Sequence, residues 1–227
     1  TIGFLIGFTA IAEAQSSWRP GDTGSVRFRL GLFEPQVDSS YWTEKFNVWT
    51  GTAEDFQDMT WGVDGLWMTA PTWGMQFGSS WYQGATTQSY RDWVDDSGRE
   101  IAHRTELSTW DLTAAWLFKP LRGSSIRPYF GVGAGLLSWR LLEYGDFIDF
   151  SPDGDGAVTY ATYRDDGTTF MAFGIAGIEF LSRNGWSFFV EGRWREAEAS
   201  LGGGFGSLNQ RLDLSGPEFS AGISWNF

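Results

Sequence analysis

Residues Phe219-Ser220-Ala221-Gly222-Ile223-Ser224-Trp225-Asn226-Phe227 alternate apolar with small or polar side chains and finish on an aromatic. On an extended backbone successive side chains point to opposite faces, so Phe219, Ala221, Ile223, Trp225 and Phe227 form one stripe and the small residues form the other. A soluble core could bury the apolar stripe, as in a sandwich strand. A bilayer is the alternative partner. A tilted spanning strand takes about 9 to 11 residues of this pattern, and a closed barrel leaves no backbone edge unpaired. The apolar stripe is therefore expected to face lipid.

The other end of the chain agrees. Ile2 to Ile11 is a short run of apolar and small residues followed by Ala12-Glu13-Ala14 and Gln15-Ser16-Ser17, the pattern of an h-region with an Ala-x-Ala cleavage site. It is too short for a spanning helix, which takes about 20 apolar residues. Residue 1 is not Met and no basic n-region precedes the run. The expectation is a signal-peptide-like segment over 1–14 and a barrel domain over 15–227.

Composition narrows the class. A length of 227 residues fits a single barrel domain. The absence of Cys excludes a disulfide framework and thiolate chemistry. The 30 Gly and 14 Trp suit a barrel wall and its interfacial belts. A mean hydropathy of −0.24 excludes a helical membrane protein but not a barrel, whose alternate residues cancel in an average. A net charge of −12 argues against nucleic acid, whose phosphates would be repelled.

Period-two alternation marks eight strands: Ser25–Glu34, Met59–Trp67, Trp73–Trp81, Trp110–Phe118, Pro128–Leu136, Thr169–Phe180, Ser187–Glu196 and the terminal stretch. In Pro128–Leu136 one face is Gly131, Gly133 and Gly135, which suggests that something bulky approaches there. The sixth strand is ambiguous. With Glu179 inside, Met171, Phe173 and Ile175 also face inward. Connections alternate in length: Thr69–Thr72, Lys119–Arg127 and Leu181–Gly185 are short, whereas Pro35–Asp58, Gln83–Glu106, Arg140–Thr168 and Ala197–Gly216 are long and polar. Long structureless loops are uncommon in compact domains, but outer-membrane barrels carry them on the extracellular side. The fold class is therefore all-β, an eight-stranded antiparallel transmembrane up-and-down β-barrel.

At eight strands the interior is filled by side chains rather than open as a channel. The expected inward faces carry Arg27, Arg29, Asp64, Asp111, Glu179, Glu191, Arg193, Arg195 and Glu218. Charges without water must be paired, so these nine are expected to form an interior salt-bridge network built chiefly on the four arginines. The same arginines argue against an apolar ligand cavity of the lipocalin kind. Trp61, Trp67, Trp73, Trp81, Trp116, Trp194 and Trp225 fall at strand ends or on the apolar face, where interfacial belts need them.

A signal-like start, eight dyad strands, long acidic connections and a terminal Phe together resemble the small Gram-negative outer-membrane barrels grouped around the OmpA transmembrane domain, OmpW and the opacity proteins. Val26-Arg27-Phe28-Arg29-Leu30-Gly31-Leu32-Phe33-Glu34-Pro35 and Pro128-Tyr129-Phe130-Gly131-Val132-Gly133-Ala134-Gly135 are similar to strands of that group, and the likeness runs from about Gly24 to Phe227. It implies a bacterial outer-membrane location, the lipid bilayer and lipopolysaccharide as partners, and recognition of the C-terminal strand by the barrel-insertion machinery. It carries fold and location more firmly than activity. No peptidoglycan-binding domain is expected after Phe227.

Chemistry is sparse. His103, the single His, is expected solvated in a long loop; a lipid A-modifying barrel enzyme would need His with Ser at the membrane surface. No enzymatic activity, catalytic residue, cofactor or metal ligand is expected. Most of the 28 acidic residues fall in the long connections, against fewer than half of the 16 basic ones. Asp153-Gly154-Asp155-Gly156 with Asp146 and Asp149 does not match an EF-hand, so divalent cations at these acidic loops are expected to bridge lipopolysaccharide instead. The functional expectation is a structural or surface-interaction barrel with a plugged lumen. The alternatives are OmpW-like transport of small apolar molecules through a lateral opening and, less favoured, the lipid A enzyme.

Overall fold

The structure is a computed structural model and describes residues 23–36, 39–121, 124–150, 156–182, 184–205 and 210–227. The signal-like segment 1–14, Asp153 and Asp155 lie outside them. The elements in chain order are β1 (Gly24–Phe33), α1 (Ser40–Val48), β2 (Asp58–Met68), β3 (Trp73–Val94), β4 (Glu100–Phe118), β5 (Ile126–Ile148), β6 (Val158–Leu181), β7 (Trp186–Ser200), β8 (Arg211–Asp213) and β9 (Gly216–Asn226).

From β1 to β7 each barrel strand pairs antiparallel with the next. β7 then pairs with β9, and β9 closes on β1 with Phe28 opposite Ile223 and Leu30 opposite Ala221. The result is a ring of eight strands, with the three-residue β8 attached outside it to the upper end of β7. Closure pairs the strand edges around the ring, while above it β3 beyond Tyr82 and β6 before Met171 run past their neighbours β2 and β7.

The dyad pattern sorts side chains as expected. In β1, Phe28 and Leu30 are about half exposed while Arg27 and Arg29 are buried. Across the ring, Phe77, Leu112, Val132, Phe170, Val190 and Phe219 point outward, and Val132 is 70 % and Phe170 82 % exposed. This apolar belt lies between tryptophans at its two rims, Trp61, Trp81 and Trp110 at one and Trp67, Trp73 and Trp116 at the other. In β6 the register is settled: Glu179 is inside, and so are Met171, Phe173 and Ile175. The glycine face of β5 serves one of these. A Cβ at Gly133 would stand 2.4 Å from the Phe173 ring, so the ring needs that bare backbone.

The last residues of β2, β4 and β6 and the first of β3, β5 and β7 meet at one end of the barrel, with Gly24 and Phe227. Gly185, at φ 77°, turns the chain into β7. The other end departs from expectation. Gln83–Glu106 and Arg140–Thr168, read as loops, are mostly strand: β3 and β4 meet across 95–99, and β5 and β6 across 149–157. Pairing continues because Tyr90, Ile101, Leu107, Leu141 and Ile148 keep facing inward. What stops at the belt is the outward apolar pattern, where Arg104, Arg140 and Arg164 replace it. Four strands thus rise as a tall wall on one side. α1 roofs the mouth beside them, burying Tyr41, Trp42 and Lys45; the Trp42 indole donates to the Asp213 carbonyl at 3.1 Å.

Candidate functional site

The inward faces of the strands build a ladder of charge up the lumen. At the short-turn end, Lys119 donates to Glu179 at 2.7 Å, and the Ser187 hydroxyl donates to the same carboxylate at 2.6 Å. Arg27 comes next, with Gln76 at 3.1 Å, the Tyr129 hydroxyl at 2.5 Å and Glu191 at 3.4 Å, its guanidinium 3.8 Å above the Phe189 ring. Glu191 is the hub, because it also takes the Tyr129 hydroxyl at 2.9 Å and Arg193 at 3.3 Å. Arg29 lies 3.7 Å from both Asp64 and Glu218, near enough for attraction but beyond hydrogen-bond length.

All nine residues expected inside are there, each no more than 4 % exposed. They are not one uniform network. Asp111 has no cation within ion-pair distance among the described residues; the Ser80 amide donates to it at 3.0 Å, and the Ser80 hydroxyl does so too. Arg195 donates to the Leu214 carbonyl at 3.0 Å and stacks 3.4 Å over the Phe33 ring instead of pairing with a carboxylate. Apolar groups complete the filling: Leu66, Leu117, Leu137, Met171, Phe173 and Phe189 are all buried. Such close filling is what an eight-strand interior allows.

His103 departs from expectation. It is a β4 residue that faces inward and is 1 % exposed, not a solvated loop residue. Its Nε2 lies 3.0 Å from Lys45 Nζ, and Lys45 pairs with Glu143, which also accepts from the Tyr41 hydroxyl. This cluster ties α1 to β4 and β5 above the apolar belt. Burial, and then the adjacent Lys45 charge, hold the His103 pKa down to about 3. Burial would raise the Glu143 carboxyl, but Lys45 outweighs it and leaves its pKa below the ordinary value.

Parity would have found Lys119 and Glu143, since each continues the odd-numbered inward face of its strand. Nothing in the sequence points to Lys45, which reaches the cluster from α1. Among the described residues no three His, Cys, Asp or Glu side chains gather as a metal site, and of the acidic set read as a cation candidate Asp153 and Asp155 lie outside those residues.

No family model matches the chain, and no curated protein matches it by sequence. Solved structures do. Neisserial surface protein A is similar over 92% of this chain and 100% of its own, at 10% identity and a TM-score of 0.52. The outer membrane protein OprG from Pseudomonas aeruginosa is similar over 92% of this chain and 97% of its own, at 14% identity and a TM-score of 0.56. At such identities the likeness is one of fold. In architecture the chain is a small eight-stranded barrel of the bacterial outer-membrane type.

Proposed function

We propose that the chain is an integral protein of the bacterial outer membrane, a closed structural barrel that presents an acidic, roofed end to the outside. The observation that carries this reading is the inversion of the wall: aromatics and aliphatics exposed, arginines and carboxylates enclosed. An exposed apolar belt of this extent has no stable partner in water, and lipid is the partner that fits its height and its tryptophan rims. The packed lumen supports a plug and stiffener rather than a conduit. The reading assigns no reaction to the chain. Planar-bilayer recording tests it: the inserted protein is expected to carry no steady current, and a stable single-channel conductance would overturn it.

Two further parts belong to this reading. The acidic side chains of the outer end would share divalent cations with lipopolysaccharide phosphates, so calcium titration should give weak, non-saturating heat and no single tight site. The C-terminal strand, with Phe219, Ile223, Trp225 and Phe227 all exposed, would be the stretch that the barrel-insertion machinery reads.

One feature favours a second reading, transport of small apolar molecules. β6 and β7 are paired only up to Met171 opposite Ala197, and above that pair the Thr169 hydroxyl donates to the Glu198 carbonyl at 2.7 Å. Met171, Phe173 and Ile175 lie inside the wall below this point. Uptake of an apolar dye into vesicles containing the protein, faster than into empty vesicles, would favour transport over the plug.

A further inference from the structure

The outer face of β2 to β5 carries an arrangement that neither the plugged lumen nor a generic apolar belt requires. At the rim on the roofed side, register sets Trp61 opposite Trp81, Trp81 opposite Trp110 and Trp110 opposite Ser138. The Trp61 and Trp81 rings stack at 4.3 Å and 17°, and Trp110 follows at 6.4 Å. One step further from the belt, Gln83 faces Ser108 and Ser108 faces Arg140. Because Ser108 and Ser138 are small, a groove of about 560 Å³ opens between the indoles and the Arg140 side chain.

Arg140 is the feature that points to a ligand. Of the other exposed arginines of this wall, Arg104 pairs with Glu106 and Arg164 with Asp166, both at 2.8 Å, and Arg91 donates to the Phe46 and Trp49 carbonyls at 3.1 and 3.0 Å; Asp58 and Asp166 both line the groove, Asp166 across the strand pair from Arg140. Arg140 has no carboxylate within ion-pair distance among the described residues, although the chain as a whole carries a net charge of −12. An unpaired guanidinium just above a tryptophan rim stands at the level of lipid phosphates, which its planar fork recognises bidentately. Three indoles on adjacent strands span about 10 Å, the width of a disaccharide rather than of one small phosphodiester headgroup.

We propose that this groove binds the phosphorylated sugar headgroup of the outer-leaflet glycolipid, with Arg140 on a phosphate and Trp61, Trp81 and Trp110 against the sugar rings and the first carbons of the acyl chains. The proposal rests on the membrane reading above and goes beyond it, since bulk lipid contact needs no such site.

The full chain is refolded into phosphatidylcholine vesicles doped with bis-phosphorylated lipid A, its dephosphorylated form or phosphatidylglycerol. Insertion is checked by flotation and heat-modifiable gel mobility, and retained lipid is counted by native mass spectrometry. Wild type is expected to retain lipid A about fivefold over both comparators, the effect of one charge-assisted contact at an exposed site. Arg140→Gln should abolish that preference, whereas Arg104→Gln should leave it intact. Ser108→Phe, which fills the groove without touching the charge, should lower retention of all lipid A and tests the site independently if Arg140→Gln fails to fold. Undiminished preference in Arg140→Gln or undiminished lipid A retention in Ser108→Phe overturns the site, as does equal retention of phosphatidylglycerol. Failure of wild type to float with vesicles would sink the membrane reading; flotation without selective retention would sink the site alone.

Discussion

Glu191 is where the lumen is most sensitive. It receives Arg27 at 3.4 Å, Arg193 at 3.3 Å and the Tyr129 hydroxyl at 2.9 Å, all inside the wall. Glu191→Gln keeps the volume and removes the charge, so two buried guanidiniums lose their shared counterion. Breaking a buried pair by removing one partner costs about 3 to 5 kcal/mol. Arg27 retains Gln76 and the face of Phe189, which sets the expected loss near the lower end, about 3 kcal/mol. Replacing Arg193 as well, by Met, removes one of the stranded charges, so the double variant should be more stable than the sum of the singles by at least about 1 kcal/mol. Urea titrations in lipid vesicles, followed by tryptophan fluorescence and gel mobility, measure all corners of this cycle. A Glu191→Gln loss under about 0.5 kcal/mol, or strict additivity, would refute the claim that the ladder is energetically coupled.

Val132→Arg, at a 70 % exposed position in the middle of the belt, should cost about 2 to 4 kcal/mol in the same assay, whereas an exposed site in water would tolerate it within about 0.5 kcal/mol. Gly133→Ala should destabilise by about 1 to 3 kcal/mol, and Phe173→Leu should relieve only part of this, because the new Cβ also meets the Ala114 carbonyl at 2.5 Å. His103 titrates near 3 in the folded chain and near 6.5 when unfolded, so between these values the unfolded chain binds more protons and stability falls as pH falls. By pH 4.5 the loss should approach about 3 kcal/mol, read as faster hydrogen exchange across α1, and His103→Gln should flatten the dependence.

On the membrane reading the wall is legible because lipid imposes a strict rule: one wrong parity puts an arginine in hydrocarbon. Arg27 and Arg29 alternating with Phe28 and Leu30, and Glu191, Arg193 and Arg195 around Trp194, admit a single register. Where lipid ends, the rule ends. Polar outward residues such as Arg104 and Glu106 read as loop although their inward neighbours Thr105 and Leu107 keep the strand going. His103 was misplaced for that reason. The Lys45–Glu143 pair joins residues far apart in the chain through the docking of α1, a tertiary contact that no local pattern encodes. In β6, Met171, Phe173 and Ile175 carry no polar mark of the inner face; what fixes them is Glu179 on the same parity and the bare backbone of Gly133 opposite Phe173.

The most direct measurement compares folding with and without lipid. Urea-unfolded chain is diluted in parallel into buffer, into detergent micelles and into phospholipid vesicles, and heat-modifiable mobility and protease resistance are scored. If the exposed apolar stripe meets hydrocarbon, the compact form arises only in micelles and vesicles and sediments with the latter. A folded, monodisperse chain in plain buffer would contradict the account.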